Sequence, residues 1–229
     1  MAAGLRGVSL PSPACRNTVL GVQNVVPVER AVAARTLQDR ADTYADEVRR
    51  LVDAAYAVMR RTGSVDPRVA DIVEAAELSN QAFYRHFRGK DELLLAVLED
   101  GQRRLVGTLE RRMARATQGA GQVQAWIEGV LEQARNAEAA ANTRPFALNG
   151  ARLTERYPDA TASQRDRVVA PLRDAVEAAA GDRDRDADVI YFLTMGRAED
   201  AIARGTTPTD ADVAHTVTFA LRAIGAKAR

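Results

Sequence analysis

Leu78-Ser79-Asn80-Gln81-Ala82-Phe83-Tyr84-Arg85-His86-Phe87 is the stretch whose reading decides the fold. Phe83 and Phe87 lie four apart, so on a helix they share one face and point at the same neighbour. Asn80, Gln81, Tyr84, Arg85 and His86 then crowd hydrogen-bonding groups onto the remaining surface. Ser79 stands where a helix N-cap is wanted, because its hydroxyl can accept from an N–H of the first turn. The segment reads as a short helix pinned by two rings and offering a polar face outward.

The flanks give it a frame. Upstream, Val48, Leu51, Val52, Ala55, Val58 and Met59 recur at helical spacing, and Arg60, Arg61 and Gly63 supply C-terminal charge and a stop. Then Asp66 and Pro67 read as N-cap and first position of a second helix carrying Val69, Ile72, Val73 and Ala76 on its apolar stripe. Downstream, the run from Lys90 to Ala116 predicts a long fourth helix. A long helix followed by two short ones across a tight turn is a helix-turn-helix unit. Asn and Gln suit bidentate bonds to adenine in a major groove. Tyr84, His86, Arg88 and Lys90 suit phosphate oxygens. From Asn80 to Lys90 there are three Arg or Lys and no acid, a local basic patch on a chain of net charge +1.

Composition agrees with an all-α protein. Hydrophobic residues make up 46% of 229, enough for a sizeable core, and Ala, Leu, Arg and Glu dominate over β-branched alternation. The single cysteine, Cys15, excludes an internal disulfide framework, and two distant histidines argue against a histidine-rich metal site. No Ser/His/Asp or Cys/His arrangement points to an enzyme, and no nucleotide-binding glycine fingerprint or other cofactor signal is present. No apolar run reaches the roughly 18–20 residues of a membrane span, so a cytoplasmic protein without membrane attachment is expected. Residues 1–40 read as a disordered extension. The first 27 contain no Asp or Glu but three prolines, and the alternative is a DNA-contacting arm carried by Arg30, Arg35 and Arg40. The helix-turn-helix domain is expected over residues 41–98 and a larger helical domain over residues 99–229.

The segments "VRRLVDAAYAVMRRTG" and "VADIVEAAELSNQAFYRHFRGKDELL" resemble the N-terminal DNA-binding domain of the tetracycline-repressor (TetR) family of bacterial transcription regulators. The aromatic "FYRHF" followed by Lys90 and the acidic "DELL" carries the resemblance. It implies that Asn80 and Gln81 read bases. It places Ser79, Ala82 (through its backbone), Tyr84 and His86 near the sugar-phosphate backbone, and has Lys90 clamp a phosphate. Arg85 is expected among the DNA-binding residues. The family usually has Gly in the interhelical turn where this chain has Glu77; Gly is favoured where φ is positive, so Glu there implies either a strained turn or a slightly different one. The family also pairs its last two long helices into a dimer. Here Val189, Phe192, Leu193 and Gly196 on the first, and Val213, Val217, Ala220, Leu221 and Ile224 on the second, are the expected interface, the alternative being that they complete the chain's own core. The middle helices are expected to enclose an effector pocket lined by Trp126, Phe146, Asn149, Arg152, Tyr191 and Met195.

The function implied is a ligand-responsive regulator, a repressor, that binds a palindromic double-stranded operator as a homodimer and is released by a small-molecule effector. The rival is a helical interaction protein with a degenerate head and no operator, which predicts no salt-dependent binding to any duplex.

Overall fold

The structure is a computed structural model that describes residues 27–225. Two units divide the chain, Met1–Thr43 and Tyr44–Arg229. Ten helices and no strand occur among the described residues, so the all-α expectation holds. None of these helices is long and apolar enough to cross a membrane.

α1 spans Val28–Thr62. It therefore begins inside the stretch expected to be disordered, and residues 28–40 are helical rather than irregular. The run is rich in Ala and Arg, which favour helix without an apolar stripe to announce it. Within the first unit, side chains bond back along the helix, as when Gln38 donates to Asp42 and Thr43 to the Asp39 carbonyl. Cys15 and the rest of residues 1–26 lie outside the described residues.

In the second unit α1 is followed by α2 (Val69–Ala75), α3 (Asn80–His86) and α4 (Lys90–Met113). Leu51, Ala55 and Met59 of α1, Ile72 of α2, Phe83 of α3, and Leu93 and Val97 of α4 close one core. Asp66 does not cap α2, which starts at Val69 after an extended Arg68 without a side-chain cap. Its carboxylate instead holds Lys90 Nζ at 2.5 Å.

α5 (Ala120–Arg135) is the hub of the remaining helices, packed against α4, α6 (Ala137–Leu148), α8 (Pro158–Ala178), α9 (Arg185–Arg204) and α10 (Asp210–Ala223). Its stripe of Val123, Trp126, Ile127, Val130 and Leu131 is entirely buried. Helix α8 runs through Pro171 without a break. Thr209 caps α10 by accepting from Asp212 N–H, and Asp212 accepts in return from the Thr209 N–H.

The boundary expected at residue 98 is not where packing separates. α4 runs past it, and α7 (Gly150–Arg156) sends Leu153, 5% exposed, into the core formed by α1–α4. Phe146 and Tyr157 pack against the same core, Phe146 edge-on to Tyr56 at 6.3 Å. Arg156 closes the contact with bonds of 2.5 and 2.6 Å to the two carboxylate oxygens of Asp91. The Tyr56 hydroxyl donates to the Val97 carbonyl, and burial pushes its pKa up to about 12, so it remains a donor at any physiological pH.

Candidate nucleic-acid interface

Three devices set α3. Ser79 Oγ accepts from the Ala82 N–H at 3.1 Å, the cap that the sequence foretells. Phe83 and Phe87 are buried, their rings 5.8 Å apart, and dock α3 on the core. The turn from α2 is a Schellman motif, with Leu78 N–H bonding the Val73 carbonyl and Glu77 N–H the Glu74 carbonyl. Glu77 occupies its left-handed position at φ 53°, where glycine is usual. Arg50 of α1 reinforces the turn by donating to the carbonyls of Ala76, at 2.6 Å, and Glu77, at 3.2 Å. Nothing in the local sequence signals that Arg50 reaches this turn from 26 residues away.

The outward face of α3 carries Asn80, Gln81, Tyr84 and Arg85, all exposed, with Tyr84 at 61%. Ser79 is exposed beside them. Two residues expected on this surface are elsewhere. Ala82 is buried, and its N–H is already given to Ser79, so its backbone is not free for a phosphate. The His86 side chain is 0% exposed. Its Nε2 faces Glu47 Oε2 of α1, and its ring meets the Tyr44 ring edge-on at 4.3 Å. The four-residue step that turns Phe83 inward leaves His86 between the inner and outer faces, and an acid on α1 draws it in.

The surface is also less basic than the local sequence suggests. Arg85 Nη2 lies 2.6 Å from Glu47 Oε2. Bonds from His86 and then Arg85 hold the Glu47 carboxyl below its ordinary pKa. Lys90 is bound to Asp66, whose carboxyl that bond likewise lowers. Both acids come from outside the Asn80–Lys90 segment. Arg88 is exposed, its N–H bonded to Glu92.

The expected effector-pocket residues fall into two groups that pack in different places. Trp126, fully buried, donates from Nε1 to the Val168 carbonyl at 3.2 Å, with Tyr191 6.3 Å away and Met195 against the same core. Phe146 belongs to the core around α1–α4. Asn149 donates to the Pro145 carbonyl and marks the break between α6 and α7, and Arg152 is exposed, 3.8 Å from Asp66. None of the six lines the groove of about 410 Å³ walled by Arg112, Glu128, Glu132, Arg135, Asp210 and Val217. Nor do they line the hollow around His215, Phe219 and Arg222. Among the described residues no group of three or more His, Cys, Asp or Glu could hold a metal ion.

The expected interface residues also divide. Val217, Ala220, Leu221 and Ile224 are buried in the chain's own core, and Val213 is half-buried against it. These residues complete the bundle with α5, which answers in favour of the chain's own core. Val189 and Phe192 are 60% and 59% exposed, Gly196 is exposed, and Leu193 is half-buried. With Phe219, 55% exposed and missed by the sequence reading, they leave large apolar groups on the outer faces of α9 and α10. Phe219 lies two residues from the buried Val217, and only the packing of α10 shows that its side faces out.

Residues 51–97 match the family model of bacterial regulatory proteins of the tetR family. Among solved structures, a TetR-like transcriptional regulator from Rhodococcus sp. RHA1 is 20% identical and superposes with a TM-score of 0.63 over 79% of this chain and 97% of that one. A TetR-family transcriptional regulator from Streptomyces coelicolor is 19% identical, with a TM-score of 0.61 over 82% of this chain and 95% of that one. The fatty acid degradation regulator FadR from Bacillus halodurans is 17% identical, with a TM-score of 0.60 over 76% and 94%. At these identities the likeness is one of fold. No curated protein matches the sequence.

Proposed function

We propose that this chain, with its TetR-family head and TetR-type fold, is a ligand-responsive transcriptional repressor that binds a palindromic operator as a homodimer. The observation that carries the reading is α3, capped by Ser79, docked by Phe83 and Phe87, and presenting Asn80, Gln81 and Tyr84 to solvent. A polar row of this kind on a helix-turn-helix has an occupant in the major groove. Asn80 and Gln81 read bases, Tyr84 and Ser79 bond phosphates, and Lys90 reaches a phosphate when it leaves Asp66.

Two copies pair through Val189, Phe192, Leu193 and Gly196 of α9 and Phe219 of α10. The support is that, among the described residues, Val189, Phe192 and Phe219 remain more than half exposed, with Gly196 exposed beside them. Pairing places two α3 helices on half-sites about one helical turn apart. The effector enters the body of the chain near Trp126, Tyr191 and Met195, the expected pocket residues that lie together. It favours release only by binding the DNA-incompetent arrangement more tightly.

Genomic fragments captured by the purified protein, then sequenced, test the reading. Enrichment of a short palindrome, lost on Gln81→Ala, is expected. Uniform recovery of all fragments at every salt concentration would refute operator binding.

A further inference from the structure

Helix α3 is only seven residues long, too short to hold its own shape in water. Its first turn is fixed by Ser79 and Phe83. Its last turn is fixed from outside, by one oxygen of Glu47 that bonds both Arg85 and His86. The Glu47 side chain is 19% exposed, whereas that of Arg85 is 55% exposed, so the acid is the sheltered member of the pair and the guanidinium the outer one. Arg85 stands next to Tyr84 on the surface that would meet DNA, with its charge already matched. Among the described residues the enclosed His86 has no partner for Nδ1, and Glu47 anchors its Nε2.

We infer that Glu47 is a positioning residue of the DNA-binding face: it fixes the last turn of α3 through His86 and withholds Arg85 from the phosphate backbone. The inference rests on the DNA-binding reading above and adds what Glu47 does for it. Phosphate neutralisation by a cation is independent of sequence, whereas specificity comes from base contacts. Matching Arg85 within the protein weakens attachment to any duplex while leaving Asn80 and Gln81 to recognise the operator. Glu47 thereby raises the ratio of operator to non-specific affinity.

The test is a salt titration of duplex affinity for the native protein, Glu47→Gln, Arg85→Ala and the double variant. Sheared genomic DNA and the enriched fragment serve as probes, and circular dichroism checks that each variant is folded. Each phosphate neutralised adds about 0.9 to the slope of log K against log salt. Arg85→Ala alone is expected to leave the slope unchanged, because Arg85 is not on the DNA. Glu47→Gln is expected to steepen it by about 0.9 per DNA-bound subunit. It should also raise affinity for sheared DNA more than for the enriched fragment, and the double variant should return to the native slope. Arg85→Ala, a change at an exposed side chain, decides the matter alone if Glu47→Gln does not fold: a slope flattened by about 0.9 overturns the inference. Weaker binding by folded Glu47→Gln at an unchanged slope overturns it too, leaving Glu47 a purely structural role. If the native protein shows no salt-dependent affinity for either probe, the DNA-binding reading itself fails and this inference with it. Native binding with the wrong variant pattern condemns the inference alone.

Discussion

Leu153 lies more than fifty residues beyond the family-matched segment, yet its side chain is part of the core that supports α3. Leu153→Ala removes three carbons from a position that is 5% exposed. At about 0.8 kcal/mol per buried carbon the transfer loss alone is roughly 2.4 kcal/mol. A residual cavity would add to this, although α7 has only seven residues and can settle inward, which keeps the addition small. The expected cost is about 2–4 kcal/mol, a fall in melting temperature of roughly 5–12 °C for a protein of this size. Urea unfolding of native protein and variant measures it. Leu148→Ala serves as the control, since Leu148 of the neighbouring α6 is 52% exposed and its truncation should stay within about 0.5 kcal/mol. A loss below about 1 kcal/mol at Leu153, or equal losses at both sites, would refute the claim that α7 completes the head's core.

Other outcomes follow from single contacts. Glu77→Gly removes a left-handed strain of about 1–2 kcal/mol and gives back part of it as chain entropy, so thermal stability should rise by up to about 1 kcal/mol; a lower melting temperature would show that the turn bears no strain. The Asp91 carboxyl is held below its ordinary pKa chiefly by the bond from Arg156, so its contribution is present above about pH 4 and disappears as pH falls through the lowered value. Arg156→Ala should therefore be less stable than native near neutrality, with the difference vanishing as pH falls through the lowered value of the Asp91 carboxyl; a difference that persists once that carboxyl is protonated would mean that packing, not charge, is lost. Phe192→Glu should convert the proposed dimer to monomer in sedimentation velocity while leaving the helices intact, because the Arg165 guanidinium lies 4.6 Å from the Phe192 ring and can receive the new carboxylate; an unchanged sedimentation coefficient would move the pairing surface elsewhere.

What the sequence disclosed depended on distance along the chain. The Ser79 cap, the Phe83/Phe87 pair and the buried stripe of α5 are contacts of three or four residues, and spacing alone finds them. At Glu77 the turn's chemistry leaves a strained turn or a different one open, and the φ of 53° decides for the first. Glu47 and His86 are separated by 39 residues, so a histidine that looks like a phosphate ligand in its own helix is enclosed by an acid from another. Asp66 likewise resembles a cap until Lys90 claims it. In α10 an apolar stripe announces burial without saying by what. Val217 and Leu221 turn out to meet the chain's own α5, whereas Phe192 of α9, touched by Tyr191 and Arg165, stays 59% exposed. Residue type alone suggests the six expected pocket residues, and type does not reveal that Phe146 and Arg152 belong beside the head.

Selection from a randomised duplex pool, with native protein and Gln81→Ala in parallel, tests the central claim most directly. Recovery by the native protein of an inverted repeat with half-sites about one helical turn apart, and loss or change of preference at defined positions with Gln81→Ala, is the predicted result. A pool that stays random through successive rounds, or an identical consensus from both proteins, would contradict base reading by α3.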